Sequence, residues 1–235
     1  MSIHIIELLN GCYEFVQSHM PHACQLCGAT VRGDPLCPGC RNDLPQLPDA
    51  RCPQCALPSP GGAVCGACLR RPPAFDRAEA VHAYAFPLDV LVRHCKYQGA
   101  LEPTDLFARE LAGRVRSRDR ADVLIPMPLH PRRLGERGFN QAAEIARRLS
   151  RHLRIPWLPD ACRRVRDTPP QAGLDLKARR RNLRGAFRCD ADLTGQRVAL
   201  VDDVMTSGAS LNELARTVKK AGAESITAWV VARTL

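Results

Sequence analysis

The apolar positions of this chain fall into short unbroken runs and longer helical stripes that follow one another in alternation. Val198-Ala199-Leu200-Val201 is a run of strand length, and from Leu211 to Lys220 the period becomes helical, with Gly222 as the stop. The same reading predicts a strand near Ala80–Phe86, helices near Leu88–Tyr97 and Glu102–Val115, and a strand over Val123–Ile125. It continues with a helix over Gln141–Leu153, a helix over Ser210–Ala221 and a last strand over Ser225–Val231. Two further strands are expected on either side of a polar, basic stretch from Thr168 to Phe187, and Ile3–Val16 reads as a small amphipathic helix. Strands alternating with helices imply an α/β fold, with a mainly parallel sheet wrapped on both faces and ligands at the strand carboxyl ends.

Composition narrows the class. The chain is 45% hydrophobic and 25% charged, which excludes a disordered acidic tail, a collagen-like repeat or a low-complexity scaffold. No run of 18 apolar residues occurs, so no membrane insertion is expected. The apolar N-terminal stretch carries Glu7 and Glu14, has no basic start and has no small-residue cleavage site. It does not read as a secretory signal, and the expectation is a soluble, cytoplasmic protein. The net charge of +10 is unevenly placed. Residues 1–76 hold 5 Lys/Arg and 6 Asp/Glu, whereas residues 77–235 hold 29 and 18, a net of +11. The second part would attract a polyphosphate substrate or a nucleic acid.

Twelve cysteines without a secretory signal point to metal and away from disulfides. Eight form Cys-x-x-Cys pairs: Cys24/Cys27, Cys37/Cys40, Cys52/Cys55 and Cys65/Cys68. Each cysteine of the first quartet recurs 28 positions later, which marks an internal duplication. The stretch from Cys24 to Cys68 holds seven prolines and few large apolar residues, so it cannot offset its own chain entropy by burial. Structural zinc can, contributing about 10–16 kcal/mol of folding free energy in small finger peptides. Redox disulfides and an iron–sulfur cluster are the alternatives, but a redox Cys-x-x-Cys opens a helix after a strand, which this proline-rich context does not offer. Four-cysteine ligation leaves no open position, so both Zn²⁺ sites read as structural. Two Zn(Cys)₄ centres at −2 each would lower the formal charge from +10 to +6. Contiguous quartets are the expected pairing, with a crossed pairing (first pair with third) also open. His22 is taken as a bystander, and Cys12, Cys95, Cys162 and Cys189 as isolated small apolar residues.

After the run 198–201 come Asp202-Asp203-Val204-Met205-Thr206-Ser207-Gly208-Ala209-Ser210. Two adjacent carboxylates at the end of a buried strand are costly unless they bind something, and the vicinal hydroxyls of a ribose would donate to them. A helix N-terminus rich in Thr, Ser and Gly is a ready phosphate site. No Gly-Lys-Ser/Thr appears, so a Walker A loop is excluded; a simple capped helix is the bland alternative. The segment Val198–Ser210 resembles the thirteen-residue 5-phosphoribosyl-1-pyrophosphate (PRPP) motif of type I phosphoribosyltransferases.

Further segments point the same way. They are Lys96-Tyr97-Gln98-Gly99, Pro126-x-Pro128-Leu129-His130, Arg137-Gly138-Phe139-Asn140-Gln141, and Gln171, Leu174, Arg179, Asn182 and Ala186-Phe187. With the cysteine module they make the chain resemble the ComF/GntX family, competence-associated proteins joining a double zinc ribbon to a type I phosphoribosyltransferase domain. Members with a single four-cysteine site exist, so the second ribbon reads as accessory. The resemblance implies three parts: an N-terminal helix (1–22), a double zinc ribbon (23–76) and a phosphoribosyltransferase-like domain (77–235).

The resemblance also implies a function. PRPP with Mg²⁺ would bind with Asp202 and Asp203 on the ribose and Thr206, Ser207, Gly208, Ala209 and Ser210 on the 5′-phosphate. The loop Pro128-Leu129-His130 would hold the pyrophosphate, with Arg137, Arg179 and Lys96 as candidate catalytic residues. The basic stretch 168–187 reads either as a solvated loop or as a cover over the pyrophosphate. The expected activity is phosphoribosyl transfer to an unidentified acceptor in DNA uptake or utilisation. The alternative is a non-catalytic PRPP-sensing or single-stranded-DNA-binding accessory protein of natural transformation, working with competence-machinery proteins. Sparse aromatics argue against stacking platforms for single strands.

Overall fold

The structure is a computed structural model that describes residues 20–116, 120–167 and 183–235. The helix expected over Ile3–Val16, as well as Gln171, Leu174, Arg179 and Asn182, lie outside the described residues. The described residues form two compact units, divided between Leu44 and Pro45.

In the smaller unit β1 (Pro21–Ala23) pairs antiparallel with β2 (Thr30–Arg32), and a one-turn helix α1 (Pro38–Asn42) follows. Pro21 and His22, assigned from sequence to the end of the N-terminal helix, are strand residues instead. The Sγ atoms of Cys24, Cys27, Cys37 and Cys40 lie within 4.8 Å of one another.

The larger unit begins with the second quartet, Cys52, Cys55, Cys65 and Cys68, whose Sγ atoms are gathered within the same distance. A short helix α2 (Gly66–Arg70) ends it. The duplication seen in the spacing is also a duplication of backbone. Gly28 N donates to Cys24 O at 2.9 Å, and Ala56 N donates to Cys52 O at 2.9 Å. Cys37 N donates to Cys24 Sγ at 3.4 Å, and Cys65 N to Cys52 Sγ at 3.3 Å.

The sheet that follows has four strands in the order β3 (Arg77–Ala83), β8 (Ser225–Arg233), β7 (Arg197–Met205), β4 (Val123–Pro126), all parallel. Between β3 and β4 run α3 (Leu88–Gln98) and α4 (Pro103–Val115). Between β4 and β7 come α5 (Pro131–Arg137), α6 (Gln141–Leu153) and a separate antiparallel pair, β5 (Cys162–Arg164) with β6 (Phe187–Cys189). Helix α7 (Ala209–Lys220) joins β7 to β8. Val198 to Val201 are fully buried, as a parallel strand covered on both faces must be. Helix α6 buries Ala142, Ile145, Ala146 and Leu149, one stripe at helical spacing, and packs with α4 on one face. Helix α7 packs its Leu211, Leu214, Ala215 and Val218 into a core with Val198, Leu200, Ile226 and Ala228. Each fully buried leucine of this kind contributes about 1.5–3 kcal/mol.

Edge strand β3 is covered by the chain that enters the second quartet. Ala78 N donates to Pro53 O at 3.0 Å, Arg51 Nη1 to Ala80 O at 2.8 Å, and Ala83 N to Pro45 O at 2.9 Å. An otherwise open row of strand donors and acceptors is satisfied in this way. Compactness therefore groups the second quartet with the sheet.

Four expectations are revised. The strand placed at Ala80–Phe86 runs from Arg77 to Ala83, because its register with Thr227–Arg233 sets its limits, and Phe86 is exposed. Beyond the expected loop 128–130 the chain forms α5, where no helix was expected; it is arginine-rich, so no apolar stripe announces it. Cys162 and Cys189 are not isolated, since β5 and β6 set them directly opposite each other. The end of the basic stretch is not free of buried residues: Leu183, Ala186 and Phe187 belong to the core.

Candidate functional site

The sheet opens at the acid pair. β7 has a neighbour on both sides only as far as Val201, the last residue paired with β4. From Asp202 to Met205 it keeps β8 alone, leaving a crevice at the strand carboxyl end, where ligands of open α/β sheets bind. Both acids are more than nine-tenths buried. Asp202 Oδ1 accepts from Asp203 N at 2.9 Å, and Asp203 Oδ1 accepts from Val204 N at 2.7 Å. Lys96, reaching over from α3, places Nζ 2.8 Å from Asp203 Oδ2.

The charges are unequal. Burial, reinforced by the neighbouring Asp203 carboxylate, pushes the Asp202 carboxyl well above the usual range, and Lys96 only partly offsets this. Burial alone would lower the Lys96 ammonium, but Asp203 overrides it and holds Lys96 above its ordinary value.

Beyond Met205 the chain turns through Thr206, Ser207 and Gly208 into α7. Gly208 has φ +71°, a left-handed conformation, and no side chain of that residue caps the helix. Ser207 Oγ accepts a long bond from Ala209 N at 3.4 Å. A helix N-terminus with glycine at its N-cap, and only this long bond from Ser207, suits a phosphate.

Across the crevice, Met127 to His130 connect β4 to α5. Asn140 ties this loop down: its Nδ2 donates to Met127 O at 3.0 Å while its Oδ1 caps α6 through Ala142 N at 3.0 Å. His130 Nδ1 accepts from Arg132 N at 3.4 Å, so its ring caps α5. Lys96 and Arg137 line one cleft of about 660 Å³ together with Tyr97, Arg132 and Arg133. The Arg137 guanidinium sits 5.8 Å from the centroid of the Tyr97 ring and donates to Gln141 Oε1. The fold thus gathers Lys96, Arg137, Asp202 and Asp203 at one end of the sheet. Arg179 lies outside the described residues.

One residue escaped the sequence reading. Arg233, the last residue of β8 and only 5% exposed, donates from Nη1 to Met205 O at 2.8 Å and also to Thr206 O. Nothing in the sequence separates it from the other arginines, because its partners are main-chain carbonyls.

The two cysteine clusters fit tetrahedral zinc. Cys27 and Cys37 Sγ are 3.7 Å apart, as are Cys55 and Cys65 Sγ, and a ZnS₄ tetrahedron with bonds of about 2.3 Å has edges of about 3.8 Å. Contiguous quartets are therefore the pairing. Burial tends to raise the Cys24 thiol, but the amides of Cys27, Cys37 and Leu26 outweigh it and bring it down to about 6. Cys52, with amides of Cys65, Gln54 and Cys55 acting against burial, falls to about 7. His22 is in neither cluster.

Comparison with known proteins covers both cysteine clusters and the strand that carries the acid pair. A double zinc ribbon domain matches residues 15–69, and a phosphoribosyl transferase domain matches residues 137–234. The chain is 37% identical over 191 residues to the DNA utilization protein YhgH of Escherichia coli O157:H7, covering 78% of this chain and 84% of that protein. It is 36% identical over 208 residues to competence protein F of Haemophilus influenzae, covering 84% of this chain and 90% of that one. Among solved structures, a purine phosphoribosyltransferase from Pyrococcus horikoshii is 24% identical, covers 55% of this chain and 82% of its own, and superposes with a TM-score of 0.36. No helix of the described residues is long and apolar enough to cross a membrane. With a double zinc ribbon, a phosphoribosyltransferase domain and relatives at this identity over most of its length, the chain belongs to the ComF family.

Proposed function

We propose that the chain binds PRPP and transfers its phosphoribosyl group to an acceptor in a pathway of DNA uptake or utilisation. The observation that carries this reading is the buried Asp202–Asp203 pair, placed where β7 loses one neighbour and followed by a helix with glycine at its N-cap. The competence and DNA-utilisation names of the relatives supply the biological setting.

The residues divide the work by chemistry. Asp202 and Asp203 would accept hydrogen bonds from the vicinal ribose hydroxyls, and Thr206 to Ser210 would receive the 5′-phosphate. Lys96, Arg137 and the loop Pro128-Leu129-His130 would face the pyrophosphate, with Arg179 as a further candidate. In the transfer a bond forms from the acceptor to the anomeric carbon as the bond from that carbon to pyrophosphate breaks. The leaving group takes the electron pair and the acceptor gives up its proton. Positive charge develops on the sugar, as in glycoside cleavage, and negative charge on the departing pyrophosphate. Mg²⁺, when bound with PRPP, would neutralise part of that negative charge, and carboxylates of the pair are suitable oxygen ligands for it. Structural Zn²⁺ holds the ribbons.

Calorimetric titration of PRPP with Mg²⁺ tests the reading. Wild-type protein is expected to bind, and the double substitution Asp202→Asn/Asp203→Asn is expected to abolish binding while zinc content stays at wild-type level. Equal affinity in both would overturn it. Pyrophosphate release on addition of nucleobases, ammonia or single-stranded DNA then identifies the acceptor. PRPP binding without release under any of these, together with DNA binding that falls steeply with salt, would identify the non-catalytic accessory role instead.

A further inference from the structure

Arg233 makes an unusual set of contacts for a buried cation. Its Nε donates to Cys55 O at 2.8 Å. Its Nη1 donates to Met205 O and Thr234 O, each at 2.8 Å, and to Thr206 O. All four acceptors are main-chain carbonyls. Burial holds the guanidinium below its ordinary value, and the sulfurs of Cys55, Cys68 and Cys65 oppose that shift only in part. A Zn(Cys)₄ centre carries −2, so a loaded second ribbon supplies the counter-charge that a buried guanidinium requires.

The two loop carbonyls matter because of peptide planarity. In a trans peptide the C=O and the following N–H point in opposite directions. Drawing the carbonyls of Met205 and Thr206 toward Arg233 therefore turns the N–H groups of Thr206 and Ser207 away from it. Those are the amides at the turn between β7 and α7. A groove lined by Cys55, Cys68, Arg71, Thr206, Ser207, Gly208 and Arg233 runs between the second ribbon and this turn.

We propose that Arg233 is a positioning residue for the phosphate loop, and that through it the second zinc ribbon is a working part of the phosphate site. The ribbon holds the guanidinium, and the guanidinium sets two successive peptide planes of the loop. This rests on the reading that the loop receives a phosphate. By linkage the effect runs both ways: zinc in the second quartet strengthens binding of a phosphate ester, and the bound ester slows loss of that zinc. The second ribbon, accessory when judged from the single-site members of the family, has a stated role in this chain.

The test uses the full chain and ribose 5-phosphate, which carries no pyrophosphate for Mg²⁺ to neutralise and so is the suitable probe alongside a zinc chelator. Affinity is measured by calorimetry for wild type, Arg233→Met and Arg233→Lys, each zinc-loaded and zinc-stripped, with zinc content recorded. Stripping is expected to weaken wild type about tenfold or more. Zinc-loaded Arg233→Met is expected to be weaker by a similar factor, and stripping it should change affinity by less than twofold. Arg233→Lys keeps the buried charge, protecting the fold, and should recover part of the affinity. Ribose 5-phosphate should also slow zinc release from wild type several-fold but not from Arg233→Met. Affinity of both zinc-loaded variants within twofold of wild type would overturn the proposal and leave the phosphate site standing, as would independent effects of stripping and substitution. A wild type that ignores ribose 5-phosphate overturns the phosphate site and this proposal with it.

Discussion

Lys96 Nζ lies 2.8 Å from Asp203 Oδ2, and this contact makes two adjacent acids chemically unlike. Asp203 has a cation in contact, whereas Asp202 is pushed well up by its own burial and then by its neighbour's charge, with Lys96 offsetting only part of this. Removing the cation should leave the pair sharing a proton to higher pH, since two close carboxylates in a low-dielectric site resist joint ionisation. Lys96→Met is therefore expected to weaken PRPP binding at neutral pH by about tenfold or more, a loss of about 1.4 kcal/mol per tenfold. Raising the pH should restore part of it in the variant while wild type stays nearly flat. Calorimetry over a pH series checks this, and parallel profiles for the two proteins would count against Lys96 as the cation that offsets the charge of the acid pair.

The zinc sites make a separate prediction. Each four-sulfur cluster should hold one Zn²⁺, so metal analysis of purified protein should give two per chain. Four-cysteine sites without an open position contribute folding energy and no chemistry. Chelation is therefore expected to unfold the ribbons, with loss of an order of 10 kcal/mol of metal-derived stability per site. The buried run Val198–Val201 of β7 and the α6 stripe should remain folded and visible by circular dichroism. Fewer than two equivalents of zinc would remove one of the sites.

Two glycines with similar backbone angles should behave differently. Gly208 has φ +71°, and an added Cβ would lie 3.5 Å from Met205 Sδ, an ordinary contact. Gly208→Ala then costs the left-handed conformation, about 1 kcal/mol, and reshapes the phosphate turn. Gly222 has φ +96°, and an added Cβ would sit 2.7 Å from Thr194 Oγ1 and 2.9 Å from Thr194 Cα. Gly222→Ala should cost about 2–4 kcal/mol by strain and overlap with backbone. Denaturant unfolding and PRPP titration together separate them: the first variant should lose ligand with little stability, and the second stability with little ligand affinity.

What could be read in advance follows from where the information lies. The cysteine spacing, the run Val198–Val201 and the Thr-Ser-Gly turn are local patterns, and each appeared where its residues placed it. Arg233 could not be singled out among 30 arginines, because carbonyl partners leave no mark on the sequence. Helix α5 was missed because its stability owes little to an apolar stripe and more to Pro131 in its first turn and to the His130 cap. The pairing of Cys162 with Cys189 was hidden by 26 intervening residues, since spacing says nothing about antiparallel return. Likewise the edge of β3 is covered by Pro45, Arg51 and Pro53, residues read from sequence only as parts of the double zinc ribbon. Local chemistry was legible; long-range contact through backbone groups was not.

Replacing the two acids one at a time should separate binding from stability. A carboxyl whose folded pKa is raised, as for Asp202, favours folding fully below its unfolded value of about 3.8 and loses that contribution as pH rises through its folded pKa. Asp202→Asn does not titrate, so at acid pH it should match wild type and at neutral pH equal or exceed it in stability. Asp203→Asn is different, because it strands the Lys96 ammonium, more than three-quarters buried, without its partner. Breaking one side of a buried pair costs about 3 kcal/mol at the lower end of the usual range, and that loss should be present at neutral pH. Both substitutions should weaken PRPP binding, since each removes an acceptor from the ribose hydroxyls. Urea unfolding at acid and neutral pH alongside PRPP titration would read all of this. Equal destabilisation by both at neutral pH would mean that Lys96 serves the two carboxylates alike, contrary to the 2.8 Å contact with Asp203 alone.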